Sequence, residues 1–254
     1  MGAGHSHVLF SHSETGVHRL VPEAKVAATL LFIGAVVATP RSAFWAFGVD
    51  ALLLVGVALA ARVSLLRLAR RLVIELPFLA FAFFLPLIGR GPRVDVLWFS
   101  VSESGTWGAW NILVKGTIGV AATSLLGATT TVPELLGALG RLRVPRVIVE
   151  IASFMVRYLE VVTNEMRRMR IARLSRGHDP RWIWQARAVA TSAGALFIRS
   201  FERGERVHLA MLSRGYDGTL YRSDPTAIVV RDWALTLMIP TGALAVCLTA
   251  VLVR

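Results

Sequence analysis

Residues 24–61 have the sequence AKVAATLLFIGAVVATPRSAFWAFGVDALLLVGVALAA, and this stretch indicates what class of protein the chain belongs to. Two nearly uncharged runs, Ala24 to Thr39 and Ala43 to Ala61, are separated only by Pro40-Arg41-Ser42. An α-helix of about 20 apolar residues crosses the hydrocarbon core of a bilayer, and shorter runs cross with some mismatch. The stretch is therefore predicted to form two membrane spans joined by a tight turn.

The composition extends this interpretation to the whole chain. Of the 254 residues, 55% are hydrophobic, and the mean hydropathy is +0.60. Further apolar runs cover Leu72 to Ile88, Ala109 to Thr131 and Trp233 to Val253. Pro77 and Pro86 remove backbone donors from the first of these runs and are expected to kink it. We therefore predict an all-α polytopic membrane protein with about five transmembrane helices.

The basic residues predict the orientation in the membrane. Four arginines follow the second span, at positions 62, 67, 70 and 71, whereas the loop from Gly89 to Gly108 balances two arginines with two carboxylates. Cytoplasmic loops carry the excess of positive charge. We therefore expect a multi-pass cell-membrane protein with a cytoplasmic tail (1–23), four spans (24–131), a cytoplasmic region (132–230) and a last span (231–254).

The cytoplasmic region is predicted to contain three coupling helices. The first runs from Pro133 to Leu142, the second from Pro145 to Arg176, and the third starts at Asp179-Pro180 and ends at Arg214. The turn between the second and third is short, so these helices are expected to cross as a hairpin. Basic residues follow one another in the second half of the second helix, at 167, 168, 170, 173 and 176, and can contact anionic lipid.

One motif occurs twice in this region. Residues 172–179 have the sequence ARLSRGHD and residues 210–217 have AMLSRGYD, so the copies lie 38 positions apart and each closes a helix. A glycine after the last turn can end a helix in the left-handed conformation, which leaves the preceding arginine projecting beyond the helix. Two such helix ends suit a partner with two lobes or two subunits.

Several catalytic signatures are missing from the sequence. It contains no phosphate-binding Gly-Lys-Ser or Gly-Lys-Thr loop, no Gly-x-Ser-x-Gly elbow and no His-Glu-x-x-His helix. We therefore expect neither an enzyme nor a bound cofactor, and any ATP must be hydrolysed by another protein. The net charge of +12 lies largely between the apolar runs, so it indicates topology rather than nucleic-acid binding.

Three features of the sequence carry a resemblance to a known family. They are the doubled Arg-Gly helix ends, the stretch His18-Arg19-Leu20-Val21-Pro22-Glu23-Ala24-Lys25, and the stretch TVPELLGAL at residues 131–139. Together they resemble the transmembrane component of energy-coupling factor transporters, most closely the CbiQ type that serves cobalt and nickel uptake. The resemblance covers nearly the whole chain. It implies a complex with two ABC-type ATPases and a substrate-binding, CbiM-like membrane subunit. It also implies that the helix ends dock in the ATPases through Ala172, Arg176, Gly177, Ala210, Arg214 and Gly215.

The sequence departs from the family pattern at two places. Ser175 and Ser213 stand where the family has alanine before Arg-Gly, and Val21-Pro22-Glu23 stands where it has Asp-Pro-Arg. The first change replaces one small residue by another and leaves the arginine in place. Because of the second change, no role of the family's Asp-Pro-Arg motif is carried over to the start of the first span.

Alternative interpretations exist for the chain and for single residues. The alternatives for the whole chain are a component of a vitamin importer, a self-contained carrier and a membrane-bound enzyme. The predicted spans contain few polar groups, and this argues against a self-contained carrier. Lys115 either reaches the membrane interface or takes part in transport, and Glu75 either pairs with an arginine or binds substrate. The N-terminal histidines either bind nickel or cobalt or belong to a polar tail, namely His5, His7, His12 and His18.

Overall fold

The computed structural model describes residues 15–88, 93–96, 99–177, 186–218 and 230–252. The chain divides into two compact units, which are considered separately below. The bundle unit comprises Ser6–Leu142 and Thr226–Arg254, and the hairpin unit comprises Met1–His5 and Arg143–Pro225.

Helices make up most of the bundle unit. In chain order they are α1 (Gly16–Arg19), α2 (Pro22–Ala38), α3 (Phe44–Ala60), α4 (Leu65–Arg71), a 3₁₀ turn (Leu72–Glu75), α5 (Leu76–Ile88), α6 (Glu103–Thr129), α7 (Val132–Arg141) and α10 (Val230–Leu252). A short antiparallel hairpin of β1 (Arg93–Val96) and β2 (Phe99–Ser102) precedes α6. The all-α fold class predicted from the sequence is confirmed.

The apolar helices agree with the predicted membrane protein. Among the described residues, α6 and α10 are long and apolar enough to cross a bilayer, and α3 is a shorter apolar helix of 17 residues. The first two predicted spans match α2 and α3 to within two residues at each end. The total of five spans stays a prediction, because α2 has 17 residues and α5 has 13.

Two local expectations in this unit need correction. The predicted third span starts as the 3₁₀ turn Leu72–Glu75, and regular α-helix resumes only at Leu76, one residue before Pro77. The expected loop ends earlier than predicted, because α6 begins at Glu103 after the β-hairpin. Ser102 caps this helix, since its hydroxyl oxygen accepts a hydrogen bond from the Gly105 amide at 3.5 Å.

Small side chains allow the helices of the bundle to pack closely. The core contains a set of buried alanines together with a few larger side chains, and α2 contacts α6, α7 and α10. The buried alanines of this core are Ala35, Ala58, Ala61, Ala122, Ala128 and Ala243. Membrane helices associate through such small-residue interfaces because lipid supplies no hydrophobic drive between them.

Polar side chains connect the helices at both ends of the bundle. Glu23 pairs with Arg141, which links α2 to α7. Lys115 Nζ donates to the backbone oxygen of Val37 at 2.7 Å. Glu75 is buried against α6, and its carboxylate accepts hydrogen bonds from the Thr117 hydroxyl at 3.0 and 3.2 Å. Its expected pairing with an arginine stays a prediction, because the Arg67 side chain lies outside the described residues.

The hairpin unit consists of α8 (Arg146–Ser175) and α9 (Ala186–Leu212). The start and end of α8 lie within one residue of the predicted ones, and α9 ends two residues before the predicted Arg214. The predicted start of the third helix at Asp179-Pro180 lies outside the described residues. Large apolar side chains remain exposed on both helices, among them Ile151, Met155, Phe197 and Phe201.

Candidate functional site

Both copies of the repeated motif end a helix in the same way. Ser175 Oγ donates to the Ala172 carbonyl at 3.0 Å, and Ser213 Oγ donates to the Ala210 carbonyl at the same distance. The glycine that follows has φ of 75° at Gly177 and 83° at Gly215. The left-handed ending predicted from the sequence is confirmed for both copies.

The second helix end has the full Schellman arrangement. Gly215 N–H donates to Leu212 O and Tyr216 N–H donates to Met211 O, both at 3.0 Å. At the first end, Gly177 N–H donates to Leu174 O at 2.9 Å. His178 is the counterpart of Tyr216 and lies outside the described residues. The shared bonds fix the backbone at each arginine.

The six residues predicted to bind the ATPases lie at these two ends. All six are exposed: Ala172, Arg176, Gly177, Ala210, Arg214 and Gly215. Neither Arg176 nor Arg214 forms an ion pair with any residue in the described ranges. A cation at a helix carboxyl end is favoured by the helix dipole, so each guanidinium can stay charged and available to a partner.

Three polar contacts show that α8 and α9 run antiparallel. Arg173 Nη1 lies 3.4 Å from Ser192 Oγ, and Arg199 Nη1 lies 2.8 Å from Glu165 Oε1. Further along, Tyr216 OH donates to Glu150 Oε2 at 3.0 Å. As α8 advances from Glu150, its partners on α9 move backward from the second helix end. The predicted hairpin is confirmed.

The antiparallel arrangement separates the two arginine ends. Arg176 follows the last turn of α8, whereas the second end is held through Tyr216 to Glu150, in the first turns of α8. Glu150 and Arg176 are 26 positions apart, which corresponds to about 39 Å along an α-helix at 1.5 Å per residue. The site therefore consists of two distant ends and is not a single cluster.

Glu165 stabilises the middle of the hairpin. It accepts hydrogen bonds from Arg199 at 2.8 Å and from Arg168 at 3.0 Å. The hydrogen bond from the Arg199 guanidinium, supported by Arg168, holds the pKa of Glu165 below its ordinary value. Glu202 and Arg206, four residues apart on α9, form a looser pair at 4.0 Å.

The contact between Tyr216 and Glu150 is a feature that the sequence analysis missed. The Glu150 carboxylate accepts a hydrogen bond from the phenolic hydroxyl, which favours the protonated phenol and raises the pKa of Tyr216 above its ordinary value. A signal was present, since Tyr216 is one of the positions at which the two motif copies differ. The sequence could not show that its partner lies 66 residues earlier in the chain.

The two helices also enclose an apolar groove of about 360 Å³ next to the second helix end. Phe154, Tyr158, Val207 and Met211 line it, and Tyr216 closes one side. Tyr216 therefore contributes both its ring to this groove and its hydroxyl to Glu150. The side chain fixes the segment after Gly215 in two ways.

Metal binding finds no support in the part of the chain that the structure describes, where no cluster of three or more His, Cys, Asp or Glu side chains could hold an ion. His18 Nδ1 lies 2.7 Å from the Thr15 hydroxyl. The other N-terminal histidines, His5, His7 and His12, lie outside the described residues.

The described chain is therefore a mostly helical membrane protein with two matching, exposed Arg-Gly helix ends on an antiparallel hairpin. Comparison with known proteins gives its family. Residues 13–226 match the model of the CbiQ family, described as cobalt transport protein. The chain belongs to the CbiQ and EcfT family of membrane components of energy-coupling factor transporters.

Individual relatives agree with this assignment. The transmembrane protein EcfT of Thermanaerovibrio acidaminovorans is 32% identical over 89% of both chains. The cobalt transport protein CbiQ of Rhodobacter capsulatus is 29% identical over 64% of this chain and 65% of its own length. A putative fused cobalt transport protein, CbiMQ, from Methanocorpusculum labreanum is 27% identical over 50% of this chain, which spans only 21% of that protein.

Proposed function

We propose that this protein couples two cytoplasmic ABC-type ATPases to a substrate-binding membrane subunit in the import of cobalt. The observation that carries the proposal is the pair of exposed arginine ends with matching backbone geometry, about 39 Å apart along α8. A small domain is about 30 Å across, so the two ends suit two separate partners better than one. The protein itself catalyses no reaction and needs no cofactor or nucleic acid.

Each arginine is proposed to bind an acidic group in one ATPase. A guanidinium offers a planar fork of donors that matches a carboxylate in two parallel bonds, whereas a lysine offers a point charge. If the contact excludes water, removal of the arginine leaves an unpaired charge and costs about 3–5 kcal/mol. The matching bonds of Ser175 and Ser213 fix both backbones for the same kind of contact.

The orientation in the membrane follows from the same role. We place residues 1–23 and 132–230 in the cytoplasm, where ATP is available, and residues 24–131 and 231–254 in the membrane. The excess of arginine after the second span supports this arrangement. The exposed basic side chains of α8, such as Arg167 and Arg170, would then face the anionic inner leaflet or a partner.

The proposed solute is inferred from the names of related proteins. The chain's resemblance to part of a fused CbiMQ protein supports a CbiM-like membrane partner, and the names of the CbiQ relatives support cobalt. A second candidate is import of another solute, such as a vitamin, through the same kind of complex. The EcfT relative, matched over 89% of both chains, has no solute in its name, so this second candidate rests on membership of the family alone.

Alanine variants of the two arginines test the coupling role. Arg176→Ala and Arg214→Ala, singly and together, are expressed with the ATPases and the membrane partner, and co-purification is measured. Arg170→Ala on α8 and Arg187→Ala on α9 are matched controls, because both side chains are exposed and the charge lost is the same. We expect each single variant to weaken ATPase binding by about two orders of magnitude or more, and the controls to bind normally.

Substitution by lysine separates geometry from charge. Arg176→Lys and Arg214→Lys keep the charge and lose the fork, so assembly should be weakened even though the net charge is unchanged. Full assembly and transport by the double alanine variant would overturn the coupling role. Uptake of labelled Co²⁺ by cells that contain all subunits tests the solute, and transport of a vitamin without cobalt would favour the second candidate.

A further inference from the structure

A second groove lies in the bundle unit. It has a volume of about 540 Å³, is open along one side, and forms where α2, α3, α6 and α10 meet. Its walls are apolar and include Phe32, Leu53, Val57, Leu126 and Ile239. The described helices leave this apolar channel unfilled.

Polar groups gather at one end of this groove. Lys25, Thr129 and Thr236 line it close to the start of α2, the end of α6 and the start of α10. Phe32 and Ile239 follow further along α2 and α10. The groove therefore has a polar, cationic end and an apolar body, which is the chemical pattern of a phospholipid.

Lys25 supplies the charge at the polar end. The residue is only 6% exposed, and its Nζ donates to the backbone oxygens of His18 at 2.9 Å and Thr129 at 3.1 Å. An ammonium group has three donors, and these two acceptors are neutral. Lys25 forms no ion pair within the described ranges. The Glu134 carboxylate, which accepts from the Thr131 amide at 2.8 Å, acts on Lys25 electrostatically without direct contact and so leaves the third donor of the ammonium group unpaired. The charge is therefore suited to an anionic ligand.

We propose that this groove binds one anionic phospholipid, with an acyl chain along the apolar walls and the headgroup phosphate at Lys25. A volume of 540 Å³ lies within the range of ligand pockets. A helix that spans a bilayer is about 10 Å wide and about 30 Å long, so it could cover this groove but not enter it, whereas a single acyl chain can lie inside. Basic side chains near the membrane surface attract anionic lipid. The proposal does not depend on ATPase coupling.

Two glycines on α3 provide a matched pair of variants. Gly56 lines the groove, whereas Gly48 lies two turns earlier on the same helix and does not. Both are exposed, and a Cβ added at either position meets no atom within 4 Å. Gly56→Leu should therefore fill the groove without disturbing the packing, and Gly48→Leu should add the same side chain outside it.

The full chain, purified in detergent, is titrated with phosphatidylglycerol or phosphatidylcholine, and bound lipid is counted by native mass spectrometry. The wild type and Gly48→Leu should bind one phosphatidylglycerol more tightly than phosphatidylcholine. Gly56→Leu should lose this bound lipid. Lys25→Gln should reduce the preference for phosphatidylglycerol by about fivefold, the effect of one basic residue at a membrane surface.

Three outcomes would overturn the proposal. Equal binding of the two lipids by the wild type would remove the role of Lys25. Undiminished binding by Gly56→Leu would place the lipid elsewhere, and this result does not depend on whether Lys25→Gln folds. Cross-linking of Gly56→Cys to a membrane partner in the assembled complex would show that a protein segment occupies the groove.

Discussion

The left-handed glycine at the second helix end gives a prediction whose sign is fixed by the structure. Gly215 has φ of 83°, a conformation that costs an L-residue with a side chain about 1–2 kcal/mol. Beyond its two chain neighbours, a Cβ added there meets no atom within 4 Å, so the penalty comes from the local backbone and not from a clash with the rest of the fold. Gly215→Ala should therefore destabilise the last turn of α9 by about 1–2 kcal/mol.

A second glycine on the same helix serves as the control. Gly194 lies inside α9, has no positive φ, and likewise has no atom within 4 Å of an added Cβ. Alanine is preferred over glycine inside a helix by about 0.5–1 kcal/mol, so Gly194→Ala should be stabilising. The same chemical change on one helix is thus expected to have opposite effects at two positions.

Amide hydrogen exchange of the purified full chain measures both effects. The amides of Gly215 and Tyr216 close the helix end through their bonds to Leu212 and Met211. In Gly215→Ala these amides should exchange about 5- to 30-fold faster, which corresponds to the loss of 1–2 kcal/mol. Unchanged or slower exchange at these amides in Gly215→Ala would refute the assignment of this ending.

Two further predictions concern packing and ionisation. A Cβ at Gly105 would clash with the Leu85 carbonyl oxygen, whereas one at Gly108 would lie 4.0 Å from the Leu85 side chain. Gly105→Ala should therefore lower the unfolding temperature in detergent by the equivalent of about 1–3 kcal/mol, and Gly108→Ala should not. Glu150→Gln should lower the pKa of Tyr216, measured by ultraviolet titration against Tyr216→Phe, because the carboxylate raises it. Because the pKa of Tyr216 is raised by folding, this contact stabilises the fold below pH about 10, and the stabilisation is lost as the pH rises through the pKa of Tyr216 in the folded state. Identical stability of Glu150→Gln and wild type at alkaline pH would contradict this prediction.

Local signals in the sequence were sufficient for much of the fold. The tight turn at Pro40 separates α2 from α3 within two residues of the predicted bounds, because an uncharged apolar run ends where proline and a charged residue interrupt it. Gly177 and Gly215 were identified because a glycine at the end of a helical pattern has a specific backbone role. Such features depend on residues that are neighbours in the chain.

The errors arose where distant residues decide the structure. Glu75 lies close in sequence to several arginines, and nothing in that local pattern indicates its hydrogen bond to Thr117, 42 residues away. The region before α6 was expected to be a loop because it is polar, and pairing of Arg93–Val96 with Phe99–Ser102 makes it a hairpin. Lys25 lies in the predicted first span, but the carbonyls that accept from it belong to His18 and Thr129, and the second of these is 104 residues away in the sequence.

The proposed coupling requires that α8 transmits displacement between its two ends. A helix of 30 residues transmits force along its axis, but an isolated helix in water bends and frays. The paired contacts of Glu165 with Arg199 and of Glu150 with Tyr216 attach α9 to α8 at its middle and near its start. Because the second arginine end is attached near the start of α8 and the first is its own terminus, displacement at either ATPase would act on the same helix.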